Sequence, residues 1–321
     1  MKSFRGKILV IRGGAIGDFV LTLPAIAALR AQFPEAHLEV LGYPHIAQLA
    51  LAGGLVNRVE AIEARGLAGF FARRGELTEA LVDYFSEFDL VISYLYDPDE
   101  IFEINLRRCM HGQFIAAPHR ADEKAGIHAA KVYLKPLERL AIFDANHIPE
   151  LSLEVRGPQL NQIALHPGSG SESKNWPEAS WVKLIEYLVS STELHLLLLG
   201  GEAEGERLRR LAARIRVERL TVAQSLALTE VAHLLQRSAI FVGHDSGVTH
   251  LAAAVGLPGL ILWGDTAEAI WGPPSEKMVI LRHGRGLAKL PVNQVIKAFE
   301  RLPFGPNQIH RSDWNSQCAG Q

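Results

Sequence analysis

The sequence predicts an α/β protein of two Rossmann-like domains facing across a cleft, and three observations carry that prediction. Strand-like and helix-like periods alternate from the first residues, the pattern that builds parallel sheets flanked by helices. The length of 321 residues corresponds to about two domains of about 150 residues. Glycine-containing turns recur between an apolar run and a helical period, at strand C-terminal ends, where open α/β sheets bind ligands.

Residues 7–12 (KILVIR) form a short β-rich run. After the Gly13-Gly14-Ala15-Ile16-Gly17 turn, a helical period places Val20, Leu23, Ala27 and Leu29 near one face. Pro24 is expected to kink that helix or to mark its start. Further strands are expected at 37–42, 57–62 and 89–94. Residues 144–161 hold two prolines and little helical periodicity, which sets an N-terminal domain at 1–155 and a C-terminal domain at 156–303. The second series runs from a strand at 163–166 through a helix at 176–190, a strand at 194–199, a helix at 203–215, a strand at 239–242, a helix at 248–255 and a strand at 259–263. The Gln/Asn/Ser-rich residues 304–321 are expected to be a loose tail.

Composition excludes several classes. Lys and Arg total 33 against 35 Asp and Glu, a net charge of -2, and 48% of residues are apolar, which disfavours disorder and global electrostatic capture of nucleic acid. Cys109 and Cys318 lie far apart, giving neither a disulfide framework nor a clustered thiolate site, and a reducing, cytoplasmic compartment fits. Lys2, Arg5 and Lys7 precede an apolar run that stops at Arg12, too short for a signal-peptide core. The apolar stretch at 247–264 contains His250, Pro258 and several glycines, so it reads as helix, turn and strand rather than a membrane span.

Three loops are placed for chemistry. The first, Gly13-Gly14-x-x-Gly17-Asp18, does not match G-x-G-x-x-G, and an aspartate in the first helical turn would repel a pyrophosphate. Asp18 could instead accept a proton from a substrate hydroxyl; the plainer alternative is that it complements the helix dipole. The second, residues 166–177, offers small residues and hydroxyls such as Ser169 and Ser171, with Lys174 as a mobile cation, a composition suited to phosphate although not a Walker A loop. The third, Gly243-His244-Asp245-Ser246-Gly247-Val248-Thr249-His250, puts Asp245 or Ser246 at an N-cap. Gly247 and the helix N-terminus could accept a diphosphate while Asp245 bonds sugar hydroxyls. His250, taken alone, reads as a buried hydrogen-bonded histidine. Glu202, after Gly200-Gly201, could chelate ribose hydroxyls or could simply start a helix. Asp97-Pro98-Asp99 has the D-x-D spacing of metal-dependent sugar-nucleotide transferases, but Pro98 followed by a helical period suits a helix start.

These blocks together resemble the glycosyltransferase family 9 heptosyltransferases. The resemblance rests on Ile11-Arg12-x-x-x-Ile16-Gly17-Asp18-x-x-Leu21-Thr22-Leu23-Pro24, Lys174-x-Trp176-Pro177, Gly200-Gly201-Glu202 and residues 242–254, in order along nearly the whole chain. It implies a GT-B fold, an N-terminal acceptor domain and a C-terminal nucleotide-sugar domain. It also implies an inverting, metal-independent transfer of heptose from ADP-heptose to the inner core of lipopolysaccharide, with domain closure excluding water. By that resemblance Asp18 is the base, Lys174 contacts donor phosphate, Glu202 binds ribose and Asp245 lies near the donor sugar. Ser246, Gly247 and Val248 supply helix-N-terminal contacts to the diphosphate, with Ser169, Ser171 and His250 grouped with the donor side. No cofactor beyond the nucleotide-sugar is expected.

The acceptor side is less defined. Residues 101–140 carry seven Lys/Arg against four acids, a local net of about +3, a patch that could bind an anionic glycolipid headgroup at the inner face of the inner membrane. Arg107, Arg108 and Arg120, with Gly13 and Gly14, are the acceptor candidates. Two departures from the family pattern stand out: Gly264-Asp265-Thr266 replaces the common Gly-Pro-Thr, and Gly13-Gly14 replaces larger or hydroxyl residues. The alternatives are another GT-B nucleotide-sugar enzyme with a different donor, an epimerase or hydrolase, a Rossmann oxidoreductase, and a silent donor-binding protein.

Overall fold

The run KILVIR forms a strand, β1 (Lys7–Arg12), in which every residue after Lys7 is buried, as expected for a strand covered on both faces. The structure, a computed structural model, describes residues 4–302. It divides the chain between Glu154 and Val155 into two α/β units, with Ala269–Pro274 grouping with the first.

In the first unit β1 is followed by α1 (Ile16–Gln32), β2 (His37–Gly42), α2 (Pro44–Ala52), β3 (Arg58–Ala61), α3 (Glu79–Ser86), β4 (Leu90–Ser93), α4 (Ile101–Leu106), β5 (Gln113–Ala116) and α5 (Ala129–Leu134). The sheet order is β3-β2-β1-β4-β5, parallel throughout. The chain therefore reverses its direction of travel across the sheet between β1 and β4, the topological switch point at which such sheets bind ligands. Leu9, Ile11 and Val91 from the sheet pack with Phe70, Phe85 and Phe102 in one aromatic-rich core.

The second unit contains β6 (Gln162–His166), α6 (Glu178–Ser191), β7 (His195–Gly200), α7 (Gly205–Ala212), β8 (Leu220–Gln224), α8 (Leu228–Gln236), β9 (Ile240–His244), α9 (Gly247–Ala254) and β10 (Gly259–Leu262), then, after the short α10 (Glu268–Trp271) that groups from Ala269 on with the first unit, β11 (Met278–Leu281) and α11 (Val292–Glu300). Its all-parallel order, β11-β10-β9-β6-β7-β8, puts a switch point between β6 and β9. Trp176, Trp181, Leu196, Leu198 and Val242 sit in its core, against Val295 and Phe299 of α11. Both units are doubly wound parallel sheets.

Several sequence expectations are corrected. α1 runs unbroken through Pro24, which is buried within it, so the proline neither starts nor ends the helix. The helix expected from 176 begins at Glu178, because Pro177 sits at its N-cap with φ near -55° and the Trp176 N–H is spent on a histidine ring. The helix expected over 203–215 is confined to Gly205–Ala212. The edge strands β5, β8 and β11, and the return of Ala269–Pro274 to the first unit, carried no signal that the sequence reading used. Residues 304–321 and Cys318 lie outside the described residues.

Candidate active site

In the first unit the loop after β1 is shaped around one carboxylate. Gly14 takes φ +101°, a conformation that favours glycine, and a Cβ there would stand 3.1 Å from Asp18 Oδ2. Asp18 is the third residue of α1, and its Oδ2 accepts a hydrogen bond from the Ala15 N–H at 3.1 Å, half of a capping box. The helix-start role weighed for Asp18 as a dipole partner thus takes the form of a cap, yet the side chain remains 32% exposed and can still meet a substrate hydroxyl. Sequence reasoning gave no role to the residue behind it. Arg12, buried at the end of β1, donates to the carbonyls of His119 (2.7 Å) and Asp18 (3.3 Å), and its Nη2 lies 3.8 Å from Asp18 Oδ1. An arginine ending an otherwise apolar buried strand is the signal that could have found it.

The acceptor candidates are not brought together as free cations. Arg107 is held by Glu103 at 2.7 Å and lies over the Phe114 ring. Arg108 donates to the Gly75 carbonyl at 2.8 Å and to Asn105 Oδ1. Arg120 pairs with Glu123 and lies over Trp271, whose indole N–H also bonds Glu123. Each guanidinium already has a partner, although all three residues remain exposed. Gly13 leaves open space, with only Tyr43 within 4 Å of an added Cβ. Asp97 accepts the N–H groups of Phe102 and Glu103 at 3.1 and 3.0 Å, and Asp99 pairs with Arg73. The D-x-D carboxylates therefore serve a helix start and a surface pair rather than converging on one point.

In the second unit the loops after β6 and β9 meet at the switch point. Lys174 Nζ forms a 2.8 Å ion pair with Asp245 Oδ2, whose side chain is only 9% exposed. This joins two residues that the sequence assigned separately. Ser246 is the N-cap of α9: its Oγ accepts from the Thr249 N–H and lies 3.3 Å from His166 Nδ1. Gly247 and Val248 open α9, and His250 is buried one turn in. Ser169 Oγ is 2.8 Å from both the Ser171 carbonyl and Asn175 Oδ1, so its single proton is used to shape the loop. Ser171 is exposed. Glu202 lies exposed beyond β7, and its carbonyl accepts the N–H of Gly205. Helix α7 starts three residues later than Glu202, so Glu202 is not its first residue.

The phosphate-type loop is held in place by groups that the sequence reading missed. His244 Nε2 faces two donors, the Trp176 backbone N–H at 2.9 Å and the Trp181 indole N–H at 3.4 Å. It must therefore be the acceptor, which puts the ring proton on Nδ1, towards the Gly168 carbonyl at 3.3 Å. Arg207 of α7 donates through Nη1 to the Pro167 carbonyl and through Nη2 to both carboxylate oxygens of Glu172. Glu204 accepts from the Gly201 N–H at 2.9 Å, and its side chain occupies the space a Cβ on Gly168 would need.

Both buried histidines are neutral in this arrangement. Burial pushes the His166 imidazole down to about 4 and the His244 imidazole down to about 3. The unfolded rings bind a proton near their ordinary value of about 6.5, so between that value and the folded ones the unfolded state holds more protons. Stability that is complete above pH 6.5 is then lost as the pH falls towards 4 and 3. Urea unfolding midpoints are expected to fall steadily from pH 7 to pH 4.5, and His244→Leu should flatten part of that slope while costing about 1–3 kcal/mol for the Trp176 and Trp181 donors left without an acceptor. A midpoint independent of pH over that range would contradict the neutral-histidine assignment.

Two doubly wound parallel sheets, with an acidic group at the first switch point and a lysine–aspartate pair beside a helix N-terminus at the second, have the GT-B fold found in glycosyltransferases. Residues 145–296 match the family model described as glycosyltransferase family 9 (heptosyltransferase). The chain is 23% identical to lipopolysaccharide heptosyltransferase 3 of Escherichia coli (strain K12), over 94% of this chain and 98% of that protein. Among solved structures it matches a family 9 glycosyltransferase from Veillonella parvula (TM-score 0.74, 20% identity, 94% of this chain and 98% of that one). It also matches the E. coli heptosyltransferase WaaC with ADP (TM-score 0.72, 21% identity, 92% of this chain and 99% of that one). Among the described residues no helix is long and apolar enough to cross a membrane.

Proposed function

We propose that the protein transfers heptose from ADP-heptose to an anionic inner-core lipopolysaccharide acceptor (Kdo- or heptose-lipid A), with inversion and without a metal, at the inner face of the inner membrane. The observation that carries the reading is the Lys174–Asp245 pair at the switch point of the second unit. A cation and an acid there stand beside the α9 N-terminus, where unpaired N–H groups favour a diphosphate. In this reading Lys174, Ser246, Gly247 and Val248 take the diphosphate, Asp245 the donor sugar and Glu202 the ribose, and residues 1–155 bind the acceptor. Asp18 removes the proton from the acceptor hydroxyl as that oxygen attacks the anomeric carbon from the face opposite ADP. The bond to the β-phosphate oxygen breaks, and Lys174 and the helix N-terminus stabilise the negative charge that departs. The expected helper for the acceptor is the basic stretch at 101–140, through its exposed guanidinium faces. The heptosyltransferase relatives named above support the donor and acceptor classes.

Thermal shift against a panel of donors tests the donor half directly. At a hundredfold excess over Kd, ADP-heptose is expected to stabilise by about 2.7 kcal/mol, which for a unit of this size raises Tm by roughly 5–10 °C. UDP-sugars, GDP-sugars and NAD should shift it little. Selective stabilisation by NAD or by a UDP-sugar would overturn the proposal.

A further inference from the structure

We infer that Arg12 is the positioning residue for the base: its guanidinium fixes the Asp18 carboxylate and the loop after β5 in one arrangement. The inference rests on the reading of Asp18 as the base.

The geometry is specific. Arg12 ends β1 with its side chain 2% exposed, and a buried guanidinium costs several kcal/mol unless paired. Among the described residues Asp18 is the carboxylate within ion-pair reach of it, at 3.8 Å. The same Nη2 that faces Asp18 Oδ1 also donates to the Asp18 carbonyl at 3.3 Å, so one nitrogen grips both backbone and side chain of the same residue. Nη1 donates to the His119 carbonyl at 2.7 Å. The guanidinium plane is enclosed by aromatic faces, 4.5 Å from the Tyr133 centroid and 5.6 Å from that of Tyr94, while Nε is buried without a hydrogen-bond partner. The Nη edge therefore makes the hydrogen bonds to His119 and Asp18.

The charge adds nothing to the core that an apolar side chain of like volume would not supply, since replacing buried ion pairs by well-packed hydrophobes is often neutral or stabilising. What only the fork can do is hold two carbonyls and a carboxylate at once. Asp18 Oδ2 is already fixed by the Ala15 N–H, so Arg12 completes the restraint from the Oδ1 side. The His119 carbonyl ties the base to the loop after β5, where His119 packs edge-on against Tyr96, a ring 72% exposed. Arg12 touches no reacting atom in this account: it acts through Asp18 and through that loop, and misplacing a catalytic group by about 1 Å can cost about 10²-fold in rate.

Steady-state kinetics on the full chain with ADP-heptose test this. Arg12→Gln is expected to lower kcat by about 10–100-fold with KM for donor and acceptor unchanged within about twofold. Arg12→Lys, which keeps the cation but lacks the fork, should lose less, about 3–10-fold. In an Asp18→Asn background Arg12→Gln should cause no further loss. A folded Arg12→Gln or Arg12→Lys protein with wild-type kcat overturns the inference, as does a loss of equal size in both Asp18 backgrounds. If Arg12→Gln does not fold, the lysine variant carries the test alone. Near-wild-type transfer by Asp18→Asn removes the base reading itself. That outcome is distinct from failure of the Arg12 inference, in which Asp18→Asn is inactive and Arg12→Gln is not.

Discussion

Asp18→Asn is expected to lower heptose transfer by about 10²–10⁴-fold, the usual worth of a positioned general base, with ADP-heptose affinity unchanged. Asparagine keeps the shape and can still accept the Ala15 N–H bond through its side-chain oxygen, so α1 should keep its start and the protein its fold. What it cannot do is take a proton. The comparison separates the two roles that the sequence left open for this residue. If Asp18 only serves the helix start and neutralises Arg12, the variant loses about 0.3–1 kcal/mol of helix-dipole stabilisation and more from the unpaired guanidinium, and transfers heptose at the wild-type rate. If it is the base, turnover goes as well, beyond whatever stability is lost through the Arg12 guanidinium left without its carboxylate. Donor-induced thermal shift, measured on the same preparation, reports that the second unit is intact.

The second large effect concerns Lys174. In the absence of donor its ammonium neutralises Asp245, a carboxylate almost withdrawn from water. A bound diphosphate would compete for that ammonium. Lys174→Met is expected to weaken ADP-heptose binding by about 10–100-fold, since a charge-assisted hydrogen bond contributes about 1.5–3 kcal/mol. It should also lower stability by about 1–2 kcal/mol, less than the roughly 3–5 kcal/mol of a fully buried pair, because the lysine end is 39% exposed and screened. Pairing it with Asp245→Asn distinguishes the two losses: the double variant should regain stability, having no unpaired buried charge, but not donor affinity. Recovery of donor binding in the double variant would mean that Lys174 serves Asp245 and not the diphosphate.

Much of this was legible in the sequence wherever local pattern and tertiary environment agree. The strands at 7–12 and 37–42 coincide with β1 and β2, because a short, largely apolar run bounded by turns has few alternatives to a central parallel strand. β8 shows why others were missed. It lies at the sheet edge with a largely exposed pattern over LTVAQ, so burial leaves little mark on its sequence. The N-cap reading of Ser246 followed from local rules and is realised, and Asp97 does serve a helix start, although α4 begins at Ile101 rather than at Pro98. What the sequence could not display were contacts between residues far apart in it. His244 takes the N–H of Trp176 across 68 positions, Arg207 reaches the loop at Pro167 across 40, and Lys174 reaches Asp245 across 71. Arg12 and Asp18 are close in sequence, but only burial reveals that the guanidinium has nowhere else to place its charge. The basic stretch at 101–140 is a real excess of charge, yet Glu103 and Glu123 lie against Arg107 and Arg120, pairings that a count of charges averages away.

The proposal that the chain transfers heptose with inversion is tested most directly by incubating it with ADP-heptose and Kdo-lipid A and determining the product mass and anomeric configuration by NMR. One heptose is expected to be added per ADP released, with the anomeric configuration opposite to that of the donor. Retention of configuration, or release of ADP with free heptose and no glycolipid product, would contradict it.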